Sequence, residues 1–315
     1  MKSGAPHLGT RTGIVVVNYG SHDLIESNYG MLATDVQQIA VVVVVDNFTS
    51  TSEAKSIAEL CTKKGWLLVL NDTNIGFGAG VNVGVARARE VGCSTFLLAN
   101  PDAVILVSDI EDLASRVLAD PLVMISPQIV RENGTRWFDG GSVLIEKGRT
   151  STVEGSDSSQ PNGWLSGACL MLHEQMWLQV GGFDDRYFLY WEDVDLSFRW
   201  VASGGTLKVA DDIKIVHRVG GTQGGFGKSP AYVYHNCRNR LLFASIHLTR
   251  SEALRWLRGS VGYAASVVQR GGRRALLAQL GALLWAAVRG TIAGAVIIRR
   301  ARTSDVIAVQ HPHYD

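Results

Sequence analysis

Residues 40–47, AVVVVVDN, set five valines in an unbroken row and then switch to an acid and an amide. Val41 to Val45 are β-branched, stiff at χ1 and apolar at every position. They read as a strand covered on both faces, the situation inside a parallel sheet. Working outward, Ile14 to Val17 repeats the pattern before Asn18 and Tyr19, and Leu67 to Leu70 and Thr95 to Ala99 add two more apolar runs. Helical-length segments lie between: Asp23 to Thr34, Ser52 to Lys64 with Ser52 as an N-cap, and Ala79 to Glu90. The order β-α-β-α-β-α-β predicts an open, doubly wound α/β sheet. Ligands of such sheets bind beyond the carboxyl ends of the strands. Three of the four strands end in polar residues suited to that: Asn18–Tyr19, Asp46–Asn47 and Asn100–Pro101–Asp102.

The bulk numbers set limits. The 315 residues are 46% hydrophobic and 19% charged, which fits a globular chain, and the net charge of +1 does not call for a nucleic-acid partner. Cys61, Cys93, Cys169 and Cys237 show no C-x-x-C pair or zinc-ligand spacing, so they read as small core residues in a reducing compartment. The N-terminal MKSGAPHLGTRTG lacks the apolar stretch of a signal peptide, which makes the cytoplasm the expected location. Thr150 to Asn162 reads as a loop, Thr206 to Val216 as two short strands around Asp211 and Asp212, and Gly220 to Gly227 as a glycine-rich lid. From Tyr232 to about Arg302 the pattern is helical.

Four motifs carry chemistry. In NDTNIGFGAGVNVGVARARE (71–90) the glycines match neither the dinucleotide fingerprint nor a P-loop. What remains is a strand, a glycine turn and a helix start, able to approach an anion or simply to shape a tight turn. Asp46 and Asn47 can read a base edge or ribose hydroxyls, or form an ordinary turn. Asp102, after Asn100 and Pro101, can bind Mg²⁺ or Mn²⁺ or simply close a plain Asn-Pro-Asp turn, and His217 at a strand end can be a further ligand or a structural histidine. In GGFDDRYFLYWEDVDLSFRW (181–200), a helix from Asp193 to Ser203 puts Glu192, Asp193 and Asp195 at its first turn. The helix dipole favours ionised acids there, which alone would make a capped helix without chemistry, while neighbouring Tyr187, Phe188, Tyr190 and Trp191 desolvate them and push one towards a useful base.

Between Arg250 and Arg302 there are ten arginines and one acid, Glu252, and Ala275 to Ile298 is mostly apolar. The length would span a bilayer, but a central Arg289 costs about 2.5–3.5 kcal/mol on insertion scales. A basic apolar helix on an anionic membrane surface and a core helix of the domain both remain open.

With these motifs in order, the chain resembles the family 2 glycosyltransferases of the GT-A fold, nearest the rhamnosyltransferase-like branch. The likeness runs from about Gly13 to Leu248 through VVVNYGS, VVDNFTS, NDTNIGFGAGVNVGV, LLANPDA, WLSGACLM, GGFDDRYFLYWEDVDLSFR, HRVGG and YHNCRNRLLF. It implies a GT-A domain over 13–248, divided into a nucleotide-binding half (13–105) and an acceptor half (106–248), then a basic helical region (249–302) and a tail (303–315). It also implies an inverting hexosyltransferase that moves rhamnose from dTDP-rhamnose, or a hexose from a UDP-sugar, to a glycan or polyprenyl-linked glycan. On that resemblance Val17, Asn18, Tyr19, Asp46, Asn74, Gly76, Asn82, Asn100 and Asp102 line the nucleotide-sugar site, and Asp102 and His217 hold a divalent metal. Asp193 is the general base, with Glu192, Asp195, Trp164 and Trp191 serving the acceptor or supporting the base. Asn100 stands where the family's D-x-D motif has its first acid, so one negative charge is missing. A sugar-nucleotide pyrophosphorylase would carry a basic glycine-rich loop after the first strand, where this chain reads NYGSHDLIES. A carbohydrate-binding protein with a decayed site is the non-enzymatic alternative.

Overall fold

The computed structural model describes residues 11–30, 40–152, 160–217, 228–270 and 272–309. The expected lid at 220–227, most of the expected loop at 150–162 and the end of the expected 23–34 helix lie outside them. The chain divides into two compact units. One holds residues up to Ser142, Thr152–Phe188 and Glu192–Gly224, and the other Val143–Ser151, Leu189–Trp191 and the chain from Gly225.

The first unit is built on strands β1 (Arg11–Asn18), β2 (Ala40–Asp46), β3 (Leu67–Leu70), β4 (Cys93–Ala99), β5 (Ala103–Val104) and β6 (Val123–Val130). It continues with β7 (Arg136–Phe138) and β8 (Gly141–Leu144), whose last residues enter the second unit, as does β9 (Arg149–Ser151); β10 (Gly163–Trp164), β11 (Cys169–His173) and β12 (Thr206–His217) belong to the first. Its helices are α1 (His22–Tyr29), α2 (Thr51–Lys64), α3 (Phe77–Glu90), α4 (Val107–Ala119), α5 (Glu174–Val180) and α6 (Glu192–Ala202). The sheet runs β3-β2-β1-β4-β11-β6-β12-β5, with β7 on β6. Its first four strands are parallel, β11 is antiparallel to β4, and β12 is again parallel to β6. This is the mixed, mostly parallel α/β fold that the valine runs predict, and Ile14–Val16 and Val42–Val45 lie in its core. The two strands expected around Asp211 and Asp212 are one strand. Its register on β6 slips between Ala210 and Lys214, so a bulge turns both acids outward without ending the pairing.

The glycines of α3 act mainly by absence of bulk. A Cβ on Gly84 would collide with Val15 Cγ1 and lie 3.0 Å from Val45 Cγ2, and one on Gly80 would sit 3.1 Å from Val17 Cγ1. The helix therefore rests directly on β1 and β2. Gly84→Ala is expected to force these surfaces apart and destabilise the fold by about 1–3 kcal/mol, read as a lower urea midpoint at unchanged m-value.

The second unit contains α7 (Pro230–His247), α8 (Arg250–Arg258), α9 (Ser260–Gln269) and α10 (Gly272–Val309), the last kinked at Gln279. The expected boundary at 248/249 thus falls inside this unit, and α10 runs on into the expected tail. The reason is close packing of α7 on α10. A Cβ on Gly290 would strike the Tyr234 carbonyl, and one on Gly294 would lie 2.7 Å from Leu241 Cβ. Buried Arg240 ties this unit together, with Nε donating to the Gly148 carbonyl at 2.5 Å and Nη2 to that of Trp256 at 3.0 Å. All four cysteines are buried free thiols, and burial pushes Cys61 and Cys169 up to about 12.

Candidate active site

The parallel strands deliver their polar ends together. Asn18 is paired in register with Asp46, and the adjacent pair Val16–Ala99 brings the Asn100–Asp102 turn to the same end of the sheet. Asn18 organises the first of these ends. Its Nδ2 donates to Asp46 Oδ1 at 2.8 Å and to Glu53 Oε1 at 3.0 Å, while its Oδ1 accepts from the Ser21 N–H at 2.9 Å. Burial raises the Asp46 carboxyl against the lowering effect of Asn18, and Asp46 Oδ2 is buried without a hydrogen-bond partner among the described residues. Burial would also raise Glu53, but hydrogen bonds from Asn18 and His22 outweigh it. Of the residues expected around the base, Tyr19 is well exposed, whereas Val17, Asn18 and Asp46 are buried.

The glycine turn is held from two sides. Asn74 Oδ1 accepts from the Gly76 N–H at 2.9 Å, and Asn47 Nδ2 donates to the Gly76 carbonyl at 2.8 Å. Gly76 has φ +93°, and a Cβ there would meet the Phe188 carbonyl, so only glycine suits the position. Asn82 has a different duty from the one expected. Its amide donates to the Phe183 carbonyl and Asp185 Oδ1, both at 2.9 Å, and accepts from the Phe183 N–H at 2.9 Å. Those bonds clamp the GGFDDR loop to α3 and engage the side chain that was expected to face nucleotide.

The Asn-Pro-Asp turn is fixed through its backbone. Tyr29 donates its hydroxyl to the Asn100 carbonyl at 2.7 Å, and Asn28 Nδ2 donates to that of Pro101 at 2.8 Å. The pairing of His217 with Ala103, across β12 and β5, then carries the imidazole to the neighbouring acid. His217 Nε2 lies 3.0 Å from Asp102 Oδ1. The alignment is not that of a hydrogen bond, and Asp102 Oδ1 and both His217 nitrogens are buried without hydrogen-bond partners among the described residues. Two adjacent, unmet donor atoms of carboxylate and imidazole type suit a divalent cation such as Mn²⁺. Among the described residues no group of three His, Cys, Asp or Glu side chains is placed to hold a metal. The remaining ligands would therefore be substrate oxygens and water. Trp137 stacks on His217, and Phe138 packs on Trp164 with centroids 4.9 Å apart.

The acidic motif lies at the start of α6, one residue earlier than the periodicity predicts. The Gly167 N–H donates to Asp193 Oδ2 at 3.1 Å, and the Val194 N–H donates to Oδ1 at 2.9 Å. Gly167 sits in the break between β10 and β11, next to Ala168, whose carbonyl accepts the Asn100 N–H at 3.0 Å. The Asp193 carboxylate is thus tied to the segment that borders the Asn-Pro-Asp turn. Ser197 braces it from behind, its Oγ donating to the Asp193 carbonyl at 2.8 Å and accepting the Leu165 N–H at 3.1 Å. Burial pushes Asp193 up to about 6, opposed by the two N–H donors. Burial, with Asp193 beside it, pushes Glu192 well above the usual carboxylate range, and Glu192 Oε2 has no hydrogen-bond partner among the described residues. Asp195 is fully buried and paired with Arg199 Nε at 2.7 Å.

Trp191 departs from its expected acceptor role. It is buried in the second unit against Phe243 and Trp256, at 5.4 and 6.0 Å. Tyr190 and Trp191 both have positive φ, 67° and 74°. Such strain persists only where the surroundings over-determine it, and here Asn239 Nδ2 donates to the carbonyls of Leu189 and Tyr190 at 2.9 and 2.8 Å. Asn239, Asn28, Tyr29 and Trp137 were not singled out from sequence, since partners this distant leave no local pattern.

No family model matches the chain. Among curated proteins it is 24% identical over 244 residues to the low-salt glycan biosynthesis hexosyltransferase Agl10 of Haloferax volcanii, covering 76% of each chain. It is 24% identical over 292 residues to the N-acetylglucosaminyl-diphospho-decaprenol L-rhamnosyltransferase of Mycobacterium tuberculosis, covering 83% of this chain and 94% of that one. Among solved structures, the mannosyltransferase PcManGT of Pyrobaculum calidifontis, in complex with GDP-Man and Mn²⁺, superposes with a TM-score of 0.53 at 18% identity, over 96% of this chain and 88% of that one. GalNAc-T7 with UDP, GalNAc and Mn²⁺ gives 0.57 at 14% identity, over 76% of this chain but only 48% of that longer one. The fold is that of the GT-A glycosyltransferases, and the curated relatives of this chain are rhamnosyltransferases and hexosyltransferases.

Proposed function

We propose that this protein is an inverting glycosyltransferase of the family 2 type, moving a hexose or rhamnose from a nucleoside diphosphate to a hydroxyl of a lipid-linked glycan. The observation that carries the reading is the Asp193 carboxylate, raised towards neutrality and held by the Gly167 N–H beside the Asn-Pro-Asp turn. Asp193 accepts the proton of the acceptor hydroxyl as that oxygen attacks the anomeric carbon from the face opposite the leaving diphosphate. Asp46 Oδ2 offers an unmet acceptor to a base N–H, and Glu192 and Asp195 support the base. Asp102 and His217 would hold a divalent metal, which when bound neutralises charge on the diphosphate. Trp164, half-buried beside Phe138, offers an aromatic edge to a sugar.

The test is nucleoside diphosphate release from dTDP-rhamnose, UDP-GlcNAc and GDP-mannose, with Mn²⁺ and an N-acetylglucosaminyl-diphospho-polyprenol acceptor. Acceptor-dependent release from one donor supports the proposal. Tight donor binding with no release would mean a binding protein instead, and pyrophosphate formation from a nucleoside triphosphate and a sugar 1-phosphate a pyrophosphorylase.

We place the reaction at the cytoplasmic face of a membrane. Gln279–Arg300 has a mean hydropathy of 1.7, and one side of it packs on α7 while Leu280, Leu284, Trp285, Val288, Ile292 and Val296 are exposed. Arg289, Arg299 and Arg300 are exposed on the same stretch. An apolar face with a central arginine and a basic end suits an anionic bilayer surface. Sedimentation with phosphatidylglycerol vesicles is expected to capture the protein and phosphatidylcholine vesicles to leave it in solution. Trp285→Glu with Ile292→Glu is expected to cut capture at least tenfold. Equal capture by both lipids would argue for a spanning segment, and self-association without capture for a second copy.

A further inference from the structure

A histidine that binds metal is normally oriented by a hydrogen bond from its other ring nitrogen to a carboxylate, carbonyl or water. His217 has no such bond to the described residues: both nitrogens are buried without a hydrogen-bond partner, and Nε2 has only its ion-pair contact with Asp102 Oδ1. What does face the ring is Trp137, with centroids 4.5 Å apart and planes inclined by only 20°. The backbone of His217 is pinned by its pairing with Ala103, but that pairing leaves the torsions of the side chain free. A planar indole against one face of the imidazole restricts the ring flip and keeps Nε2 in the direction of Asp102 Oδ1, 3.0 Å away.

Trp137 is well placed for this. It lies on β7, which pairs with β6, and β6 pairs in turn with β12, the strand that ends in His217. Phe138 is buried and packs on Trp164, which anchors the short strand from its inner side while Trp137 remains half-buried. Neither residue belongs to the acidic motif, and Trp137 carries no group that could ligate a metal itself.

We propose that Trp137 is a positioning residue for the metal site, supplying by ring stacking the orientation that a hydrogen bond supplies to other metal-bound histidines. The proposal rests on the reading of Asp102 and His217 as metal ligands, and the experiment separates the two. Mn²⁺ binding is followed by electron paramagnetic resonance, in the presence of inorganic pyrophosphate, for the wild type, Trp137→Phe, Trp137→Leu and His217→Ala. Leucine keeps apolar bulk without a planar face, and phenylalanine keeps the plane. The expected result is affinity within about twofold of wild type for Trp137→Phe and roughly tenfold weaker for Trp137→Leu, the lower end of the loss seen when an orienting partner is removed. Part of the tryptophan emission of the wild type should also be quenched by paramagnetic Mn²⁺, and that part should be missing in Trp137→Phe. If His217→Ala weakens Mn²⁺ binding and Trp137→Leu does not, the positioning role is overturned and the metal site stands. If His217→Ala binds as tightly as wild type, the metal reading fails and the positioning role with it. Should Trp137→Leu not fold, loss of the quenched component in folded Trp137→Phe still reports whether Trp137 lies beside the ion, and its persistence would overturn the proposal.

Discussion

Asp193→Asn is expected to lower turnover by roughly a hundredfold to ten-thousandfold, the range usual for loss of a positioned general base, with little change in stability. Asparagine keeps the shape and can still accept one of the two N–H groups that hold the carboxylate, from Gly167 and Val194. It loses a charge-assisted hydrogen bond, but it also removes a carboxylate that burial makes costly to ionise. These effects oppose each other, so the melting temperature at pH 7 should stay within a few degrees of wild type. Donor binding, measured separately by thermal shift, should survive. Near-normal turnover in this variant would remove the base from the proposed mechanism.

The pH dependence gives an independent check with a fixed sign. Asp193 is pushed up to about 6 from an ordinary aspartate value of 3.8. A base must be ionised to accept a proton, so kcat/KM should rise with pH through about 6 and level off above it. Stability runs the other way. An acid whose pKa is raised by folding contributes stability that is fully present below its unfolded value and lost as pH climbs from about 4 through 6. Between those values activity should therefore increase while this residue's contribution to stability declines. An acidic limb that persists unchanged in Asp193→Asn, given residual activity, would belong to another group.

How much of this could be read beforehand depended on how local the cause was. The valine runs declare buried strands by themselves, because β-branched side chains with no polar face have nowhere else to go in a parallel sheet. The acids of 192–195 at a helix start were legible for the same reason, since helix period and dipole act within one turn. Asn82 shows the limit. The family resemblance puts this amide of α3 in the nucleotide pocket, yet its partners, Phe183 and Asp185, lie about a hundred residues away in the chain. Trp191 is a similar case: the resemblance puts it with the acceptor or the base, but positive φ turns it into the core of the second unit. For the glycines of 71–90 both a ligand approach and a tight turn were open, and the reason for Gly80 and Gly84 is the distance from α3 to Val15 and Val17. In each case the residue type was informative and its partner was not, because pairing across the fold has no period.

Arg199→Ala is expected to be the most destabilising single change at the site, and it decides what Asp195 does. Arg199 is the ion-pair partner of a fully buried carboxylate, with its own side chain 23% exposed. Its Nη1 also donates to the Val180 and Gly182 carbonyls at 2.9 and 2.7 Å, closing the turn that leads into GGFDDR. Removing the guanidinium leaves the carboxylate without its counter-charge and two carbonyls without their donor. Breaking a buried pair from one side costs about 3–5 kcal/mol, a fall of roughly 6–20 °C in melting temperature for a domain of this size. Adding Asp195→Asn to Arg199→Ala should restore part of the loss, because the stranded charge is then gone. That recovery distinguishes an ion pair from mere packing, since the double variant has lost still more of the native contacts. If Arg199→Ala instead cost less than about 1 kcal/mol, the range of exposed pairs, Asp195 would not be a buried support. Its carboxylate would have to be accessible, and the acceptor role implied by the family resemblance would be the better account of it.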